Sequence, residues 1–405
     1  MTISAAAAYR LDAAGRTQNS AVDDDDRAIV AGAVLQHAAL LPAPQRSELL
    51  RDAIEVAIEI VGEPEVERLA AREWQDVDRT PSEAITLLAE TVQRAGSFNL
   101  ARVLLDGVLQ ADDSLTVVQR GRVLAARARI AWKLGSLDDA RERYELLERL
   151  GRNAKSAELK ARACVGLASV AYMRGNYPEL QRYAARAARI ADREGFRELG
   201  RKAHNALLIV AGANRQLDAA LSHGWSAYQA SDNPVDACEV LQNIGQVLFD
   251  AGQVDTARAV FATVVSHELP ALILLPALGG LALASAKCGM EDTVRWAATE
   301  VTRIDASIVP RYALASALTE CASGLNLVGR RDDAERCRAH AAALATANGF
   351  HEIAYRIDAM PAIRAASAEA ESAIRRGSSA KIVTELKWME PERRPDHVRL
   401  AAAPV

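Results

Sequence analysis

A chain of 405 residues with a formal charge of −4 and a pI near 6.1 has no overall basic field with which to hold nucleic acid. Half of its residues are apolar but only 4% are aromatic, and alanine, the best helix former, is abundant, so the composition points to an all-helical protein. No apolar run reaches the roughly 20 residues needed to span a bilayer; the closest approach, LPALILLPALGGLALASA at 269–286, is broken by two prolines and paired glycines.

Residues 1–22 read as a flexible lead, without the charged start and apolar core of a secretory signal. From 23 to 80 the pattern predicts helices over roughly 25–41, 44–61 and 63–77, with Asp23 to Asp26 suited to the positive end of the first. These form a helical cap or a divergent repeat, or else a small bundle that docks a partner. Only 1–80 has room for a DNA-binding helix-turn-helix, and its acidic residues argue against one.

Over 81–345 the chain repeats a phrase: GSLDDARERY (135–144), GQVDTARAVF (252–261) and GRRDDAERCR (329–338). Taking the residue between two helices as a mark gives Gly96, Gly135, Gly175, Asn214, Gly252, Gly289 and Gly329, at intervals of 37 to 40 residues. Glycine and asparagine most readily adopt the left-handed backbone that leaves one helix and enters the next. Five residues after the marks stand Ala101, Ala140, Leu180, Ala219, Ala257, Val294 and Ala334. Seven before stand Ala89, Ala128, Ala168, Leu207, Gly245, Ala282 and Ala322; eleven before stand Ile85, Leu124, Cys164, Ala203, Leu241, Leu278 and Leu318. Two largely small columns and one apolar column are what closely crossing helices require. Beyond the seventh copy, 346–376 reads as capping helices broken at Pro361, and 377–405 as a tail with an apolar cluster around Trp388.

No motif for chemistry stands out. His267 and Glu268 lack a second histidine at zincin spacing; there is no Walker loop and no GxSxG elbow; Gly279-Gly280 lies inside an apolar helix. The cysteines, Cys164, Cys238, Cys288, Cys321 and Cys337, are odd in number and never in CxxC spacing, so they read as small hydrophobes in a cytoplasmic protein. No catalytic residue, metal or cofactor is expected.

The repeat resembles the tetratricopeptide repeat, with its small residue late in the first helix, its turn glycine and its early second-helix alanine. The units are longer than the family's 34 residues, lack most of its tryptophan and proline positions, and carry Arg127 where the family prefers leucine. Units of this length are similar to the sensor arrays of some bacterial transcription regulators and to Rap-type peptide receptors. The resemblance implies a right-handed α-α superhelix of about seven hairpins whose first helices line a binding groove. Family geometry places groove positions thirteen, ten, nine, six, three and two residues before each mark. They fall on Arg122, Arg129, Trp132 and Lys133; on Arg162, Ser169 and Tyr172; on Arg201, His204 and Asn205; and on Gln242, Asn243, Gln246 and Phe249.

Arg122, Arg162 and Arg201 share one column, and a guanidinium binds carboxylates through two parallel hydrogen bonds. The bland alternative is a set of solvated helix charges paired with neighbours such as Glu198 or Glu239. The family's chaperone-type carboxylate clamp is not matched, because only Arg201 and Asn205 resemble part of it. The expected function is a non-enzymatic adaptor that binds a protein or peptide partner of acidic character, with no direct nucleic-acid or membrane contact. A peptide-responsive receptor controlling an effector is the alternative, and an enzyme the third class.

Overall fold

The computed structural model describes residues 98–111 and 115–359 apart from 307, 308 and 310, together with Thr86, Ala89 and Gln93. The lead, the helices expected before residue 80, the first turn mark Gly96, the last capping helix and the tail lie outside the described residues.

The described chain is all helix, without a strand. In order come α1 (Phe98–Ala111), α2 (Val117–Lys133), α3 (Leu137–Asn153), α4 (Ala157–Met173), α5 (Tyr177–Glu194), α6 (Arg197–Ala213) and α7 (Leu217–Gln229). There follow α8 (Pro234–Asp250), α9 (Val254–Val265), α10 (Ala271–Lys287), α11 (Glu291–Arg303), α12 (Arg311–Leu327), α13 (Arg331–Asn348) and α14 (His351–Ala359). Helices α2 to α13 make six hairpins. Tertiary contacts divide the chain into two compact units, one ending at Ile190 and the other beginning at Ala191.

Each hairpin turns the same way. At the end of α2 the Gly135 amide donates to the Trp132 carbonyl and the Ser136 amide to that of Ala131, which satisfies the orphan carbonyls of the last helical turn. This needs one left-handed residue, and Gly135, Gly175, Gly252, Gly289 and Gly329 supply it, with φ between +66° and +82°. The fourth repeat by the sequence marks, the hairpin of α6 and α7, differs from the sequence expectation. Asn214 has φ −83°, and its neighbour Arg215 takes the left-handed position at φ +57°. The Arg215 amide donates to Gly212 and that of Gln216 to Ala211, so the hydrogen bonds repeat those of the other turns one residue later than Asn214 would place them.

The consequence is a register correction. Aligned on Arg215, the small column of α7 holds Ala220, which is buried, whereas Ala219 is exposed. Seven residues before the turn stands Leu208 rather than Leu207, matching Ala128, Ala168, Gly245, Ala282 and Ala322, all buried. Eleven before stands His204, in a column filled elsewhere by buried Leu124, Cys164, Leu241, Leu278 and Leu318.

Helix starts follow local rules. Thr116 and Gln119 form a reciprocal capping box on α2, Ser156 accepts from the Leu159 amide at α4, and Asn233 accepts from the Asp236 amide ahead of Pro234 in α8. Between helices, aromatic rings fill notches left by glycine. A methyl at Gly166 would lie 2.1 Å from the Tyr144 ring, and one at Gly280 2.5 Å from that of Phe261. Both rings stand nine residues after a turn glycine and both notches nine before the next, so one device recurs in both units. Arg127 occupies a core column at 4% exposure, where Asp106 and Asp139 hold its guanidinium at 2.8 and 3.2 Å. The two carboxylates explain how an arginine replaces the leucine expected there.

Candidate functional site

First helices pack directly on one another within each unit: α2 on α4 in the first, and α6, α8, α10, α12 and α14 in succession in the second. Second helices pack chiefly on first helices. Each first helix therefore keeps one strip facing solvent, and the corrected register identifies it. Thirteen residues before the turn stand Arg122, Arg162, Lys202, Glu239, Pro276 and Ser316; six before stand Arg129, Ser169, Ile209, Gln246, Leu283 and Ser323; two before stand Lys133, Met173, Ala213, Asp250, Lys287 and Leu327. Every residue in these three columns is half-buried or exposed, whereas the column fourteen before is buried in all six hairpins.

In the first unit this strip is rich in cations. Arg122, its side chain 56% exposed, pairs with both oxygens of Glu158 at 3.0 Å, and Arg162 reaches the same carboxylate at 2.9 Å. The two guanidiniums hold Glu158 below the usual carboxylate range. Lys133 reaches solvent, with its ammonium 5.4 Å from the Phe98 ring, but the protein around it and the charge of Arg129 push its pKa down. Trp132 lies half-buried and donates through Nε1 to the Ser169 carbonyl at 3.3 Å; the Ser169 hydroxyl donates to Val165, and Tyr172 stands exposed beside Met173. The structure thus brings Arg122, Arg129, Trp132, Lys133, Arg162, Ser169 and Tyr172 to adjoining helices.

In the second unit the projected residues fare differently. Arg201 falls in the column fourteen before the turn, the position of buried Gly121, Ala161, Cys238, Leu275 and Ala315. One residue turns a helix by about 100°, so Arg201 points away from the strip and Lys202 takes the place equivalent to Arg122. Arg201 is 4% exposed and bridges Asp236 at 3.0 Å and Glu239 at 2.8 Å, the latter the partner weighed in the bland reading. His204 is also turned inward, with Nδ1 3.1 Å from Nδ1 of His223 and Nε2 3.3 Å from Asp192. A hydrogen bond between two Nδ1 atoms needs one ring to donate and the other to accept, and burial, with His204 alongside, lowers the His223 pKa. Asn205 is buried and accepts from the Asn243 amide at 3.0 Å; Gln246 donates to Asp250 at 2.9 Å, Gln242 is half-buried, and Phe249 carries the Lys287 ammonium 4.4 Å from its ring.

Sequence reasoning left Asp250 out of the fifth copy and stopped before Leu283, Ser316 and Glu320 of the sixth and seventh, although the same column rule reaches all four. Glu320 of α12 lies where a methyl on Gly279 of α10 would sit 2.2 Å from its Oε2. Its Oε1 accepts from Arg356 at 3.2 Å, and Arg356 also donates to Ser316 Oγ at 3.0 Å. Burial, reinforced by the charge of Asp250, pushes the Glu320 pKa up to about 7 against the pull of Arg356. Among the described residues no cluster of three or more histidine, cysteine or carboxylate side chains is arranged to hold a metal ion, and no helix is long and apolar enough to cross a membrane.

No family model matches the chain, and no curated protein matches it. Solved structures do. A signal-transduction ATPase with numerous domains (STAND) from Pyrococcus horikoshii, carrying a tetratricopeptide repeat sensor, aligns at TM-score 0.52 and 12% identity, over 85% of this chain and 56% of that one. A Rap protein complexed with competence and sporulation factor aligns at TM-score 0.46 and 14% identity, over 85% of this chain and 99% of that one. BtubC (BKLC) from P. vanneervenii aligns at TM-score 0.39 and 18% identity, over 59% of this chain and 89% of that one. The chain spans little more than half of the STAND protein, and identities this low speak to the fold alone. Hairpin geometry and fold likeness together make this an all-helical repeat protein of the tetratricopeptide-like kind.

Proposed function

We propose that the chain is a non-enzymatic adaptor that binds an acidic protein or peptide segment along the first helices of its first unit. The observation that carries this reading is the excess of cations on one strip of α2 and α4. Arg122, Arg129, Lys133 and Arg162 stand there, and Glu158 is the one carboxylate in the sequence of these two helices. Glu158 is shared by two arginines, so an incoming carboxylate competes for guanidinium forks already exposed and oriented. Lys133, whose charge the surrounding protein disfavours, is stabilised by an added anion. Trp132 and Tyr172 offer flat apolar surface beside the charge, as the centres of binding interfaces commonly do.

The test is fluorescence polarisation of the full chain with labelled acidic peptides, in low and high salt. Arg122→Ala, Lys133→Ala and Arg162→Ala combined should weaken binding at least tenfold, flatten its salt dependence and leave helical circular dichroism intact. Undiminished binding by the folded triple variant rejects this strip as the docking site.

A further inference from the structure

In three hairpins of the second unit the residues eleven before and eight after the turn are apolar and buried: Leu241 with Val260, Leu278 with Ala297, and Leu318 with Cys337. The hairpin of α6 and α7 has His204 and His223 at those two positions. The fold closes the same place three times without a ring nitrogen, so packing alone does not call for two imidazoles. Their ring centroids lie 5.3 Å apart while the two Nδ1 atoms are only 3.1 Å apart, so the rings meet edge to edge through a single hydrogen bond.

Asp192 sets the direction of that bond. Both of its carboxylate oxygens lie 3.3 Å from His204 Nε2, and an ionised carboxylate only accepts. Neutral His204 therefore carries its proton on Nε2 and offers a bare Nδ1. His223 must donate from Nδ1, which leaves its own Nε2 bare. One added proton enters at His223 Nε2, and the bridging proton then passes to His204, whose imidazolium donates to Asp192 and to His223 together. A second added proton has only the His223 Nδ1 to occupy. It sets two N–H groups face to face and puts like charges on both rings, where no hydrogen bond between them survives.

We infer that His204 and His223 form an acid-sensitive latch on the α6–α7 hairpin, closed with up to one added proton and forced open by the second. The His204 side chain, 14% exposed, fills a core column, so the rings part only if the packing of α6 on α7 loosens.

The remaining charged groups of the helices packed here are engaged elsewhere. Arg201 of α6 is held by Asp236 and Glu239 of α8, and Lys202 pairs with Glu198 on its own helix. Asp250, at the far end of α8, accepts from Gln246, and Arg193 of α5 pairs with Glu194. Asp218 stands five residues before His223 on α7, about 140° around the helix. The charges acting on His223 are those of His204 and Asp192; burial and His204 disfavour its imidazolium against the pull of Asp192. The closed hairpin thus binds fewer protons than the opened one below the 6.5 of a free histidine, so this stabilisation is complete above that value and is lost as pH falls beneath it. A deficit of one proton raises the opening equilibrium about tenfold for each pH unit. The inference goes beyond the proposed function and shares no residue with it, so either can fail alone.

The experiment is amide exchange of the full chain at pH 7.5 and pH 5.5, corrected for the intrinsic dependence of exchange on pH, with the imidazole resonances followed by NMR over the same range. Opening of α6 and α7 should rise about tenfold at pH 5.5. His223→Gln, which keeps an amide donor for His204 but does not titrate, should flatten that rise. His204→Leu with His223→Val, which writes in the Leu241 and Val260 of the next hairpin, should abolish it. The inference is overturned if opening of α6 and α7 is the same at both pH values, if folded His223→Gln opens with acid as the parent does, or if both imidazoles of the parent are protonated at pH 5.5 with protection of the two helices unchanged.

Discussion

Arg215 offers a direct probe of how the fourth hairpin is registered. An L-residue in the left-handed region costs about 1–2 kcal/mol relative to its ordinary conformations, and Arg215 stands there at φ +57°. Glycine removes that cost but gives back about 0.4–1 kcal/mol through the greater freedom of the unfolded chain. Because the Arg215 side chain is exposed, little packing is lost. Arg215→Gly should therefore stabilise the protein by about 0.5–1 kcal/mol. Asn214, at φ −83°, has no such cost to relieve, and Asn214→Gly should destabilise by a similar amount. Urea unfolding of the two variants and the parent reads the ranking from midpoints at unchanged slope. Amide exchange over α6 and α7 localises the effect, since repeat arrays open piecewise. Stabilisation by Asn214→Gly together with loss from Arg215→Gly would restore the register with Asn214 in the turn. Arg201 would then return to the solvent strip.

Two further outcomes test the packing and the electrostatics. Arg127→Leu, which restores the apolar side chain found in that column of the other hairpins, should change stability by less than about 1.5 kcal/mol, whereas Asp106→Ala, which strips a carboxylate from the buried guanidinium, should cost about 2–4 kcal/mol; equal losses from thermal or urea melts would contradict the ion-pair account. For Glu320, the folded pKa of about 7 lies above the 4.5 of a free glutamate, so the folded state holds a proton that the unfolded state has released between those values. Its contribution is therefore favourable at low pH and declines as pH rises from 4.5 to 7. Glu320→Gln should stabilise relative to the parent by about 1–3 kcal/mol at pH 8 and by almost nothing at pH 4.5. A difference that stays flat across that range removes Glu320 from the account.

Much of the architecture was legible because it rests on local rules. Glycine spacing announced the turns, since no other residue enters the left-handed region so cheaply, and five of the marked glycines stand there at positive φ. The small columns announced close helix crossings, and they are buried once correctly registered. The fourth hairpin was misread for a local reason as well. Asparagine is the better left-handed residue than arginine, so propensity favoured position 214, while the geometry of the whole hairpin placed the turn at 215. One residue of shift carried Arg201 and His204 out of the projected columns together, while Asn205 moved only from the column nine before the turn to the one ten before, where it is buried.

By itself, then, the sequence determined that the chain is all helical, that it repeats at about forty residues, and which columns meet in the core. These follow from periodicity, which acts over a few residues along the chain. Which charges face solvent was decided only by the tertiary structure, because it depends on helix rotation and on residues some forty positions away. Arg122 and Arg201 look alike in the sequence, yet one stands open beside Glu158 and the other is enclosed by Asp236 and Glu239. Likewise Gly279 reads as ordinary close packing until Glu320 of α12 is found occupying the space its missing side chain leaves.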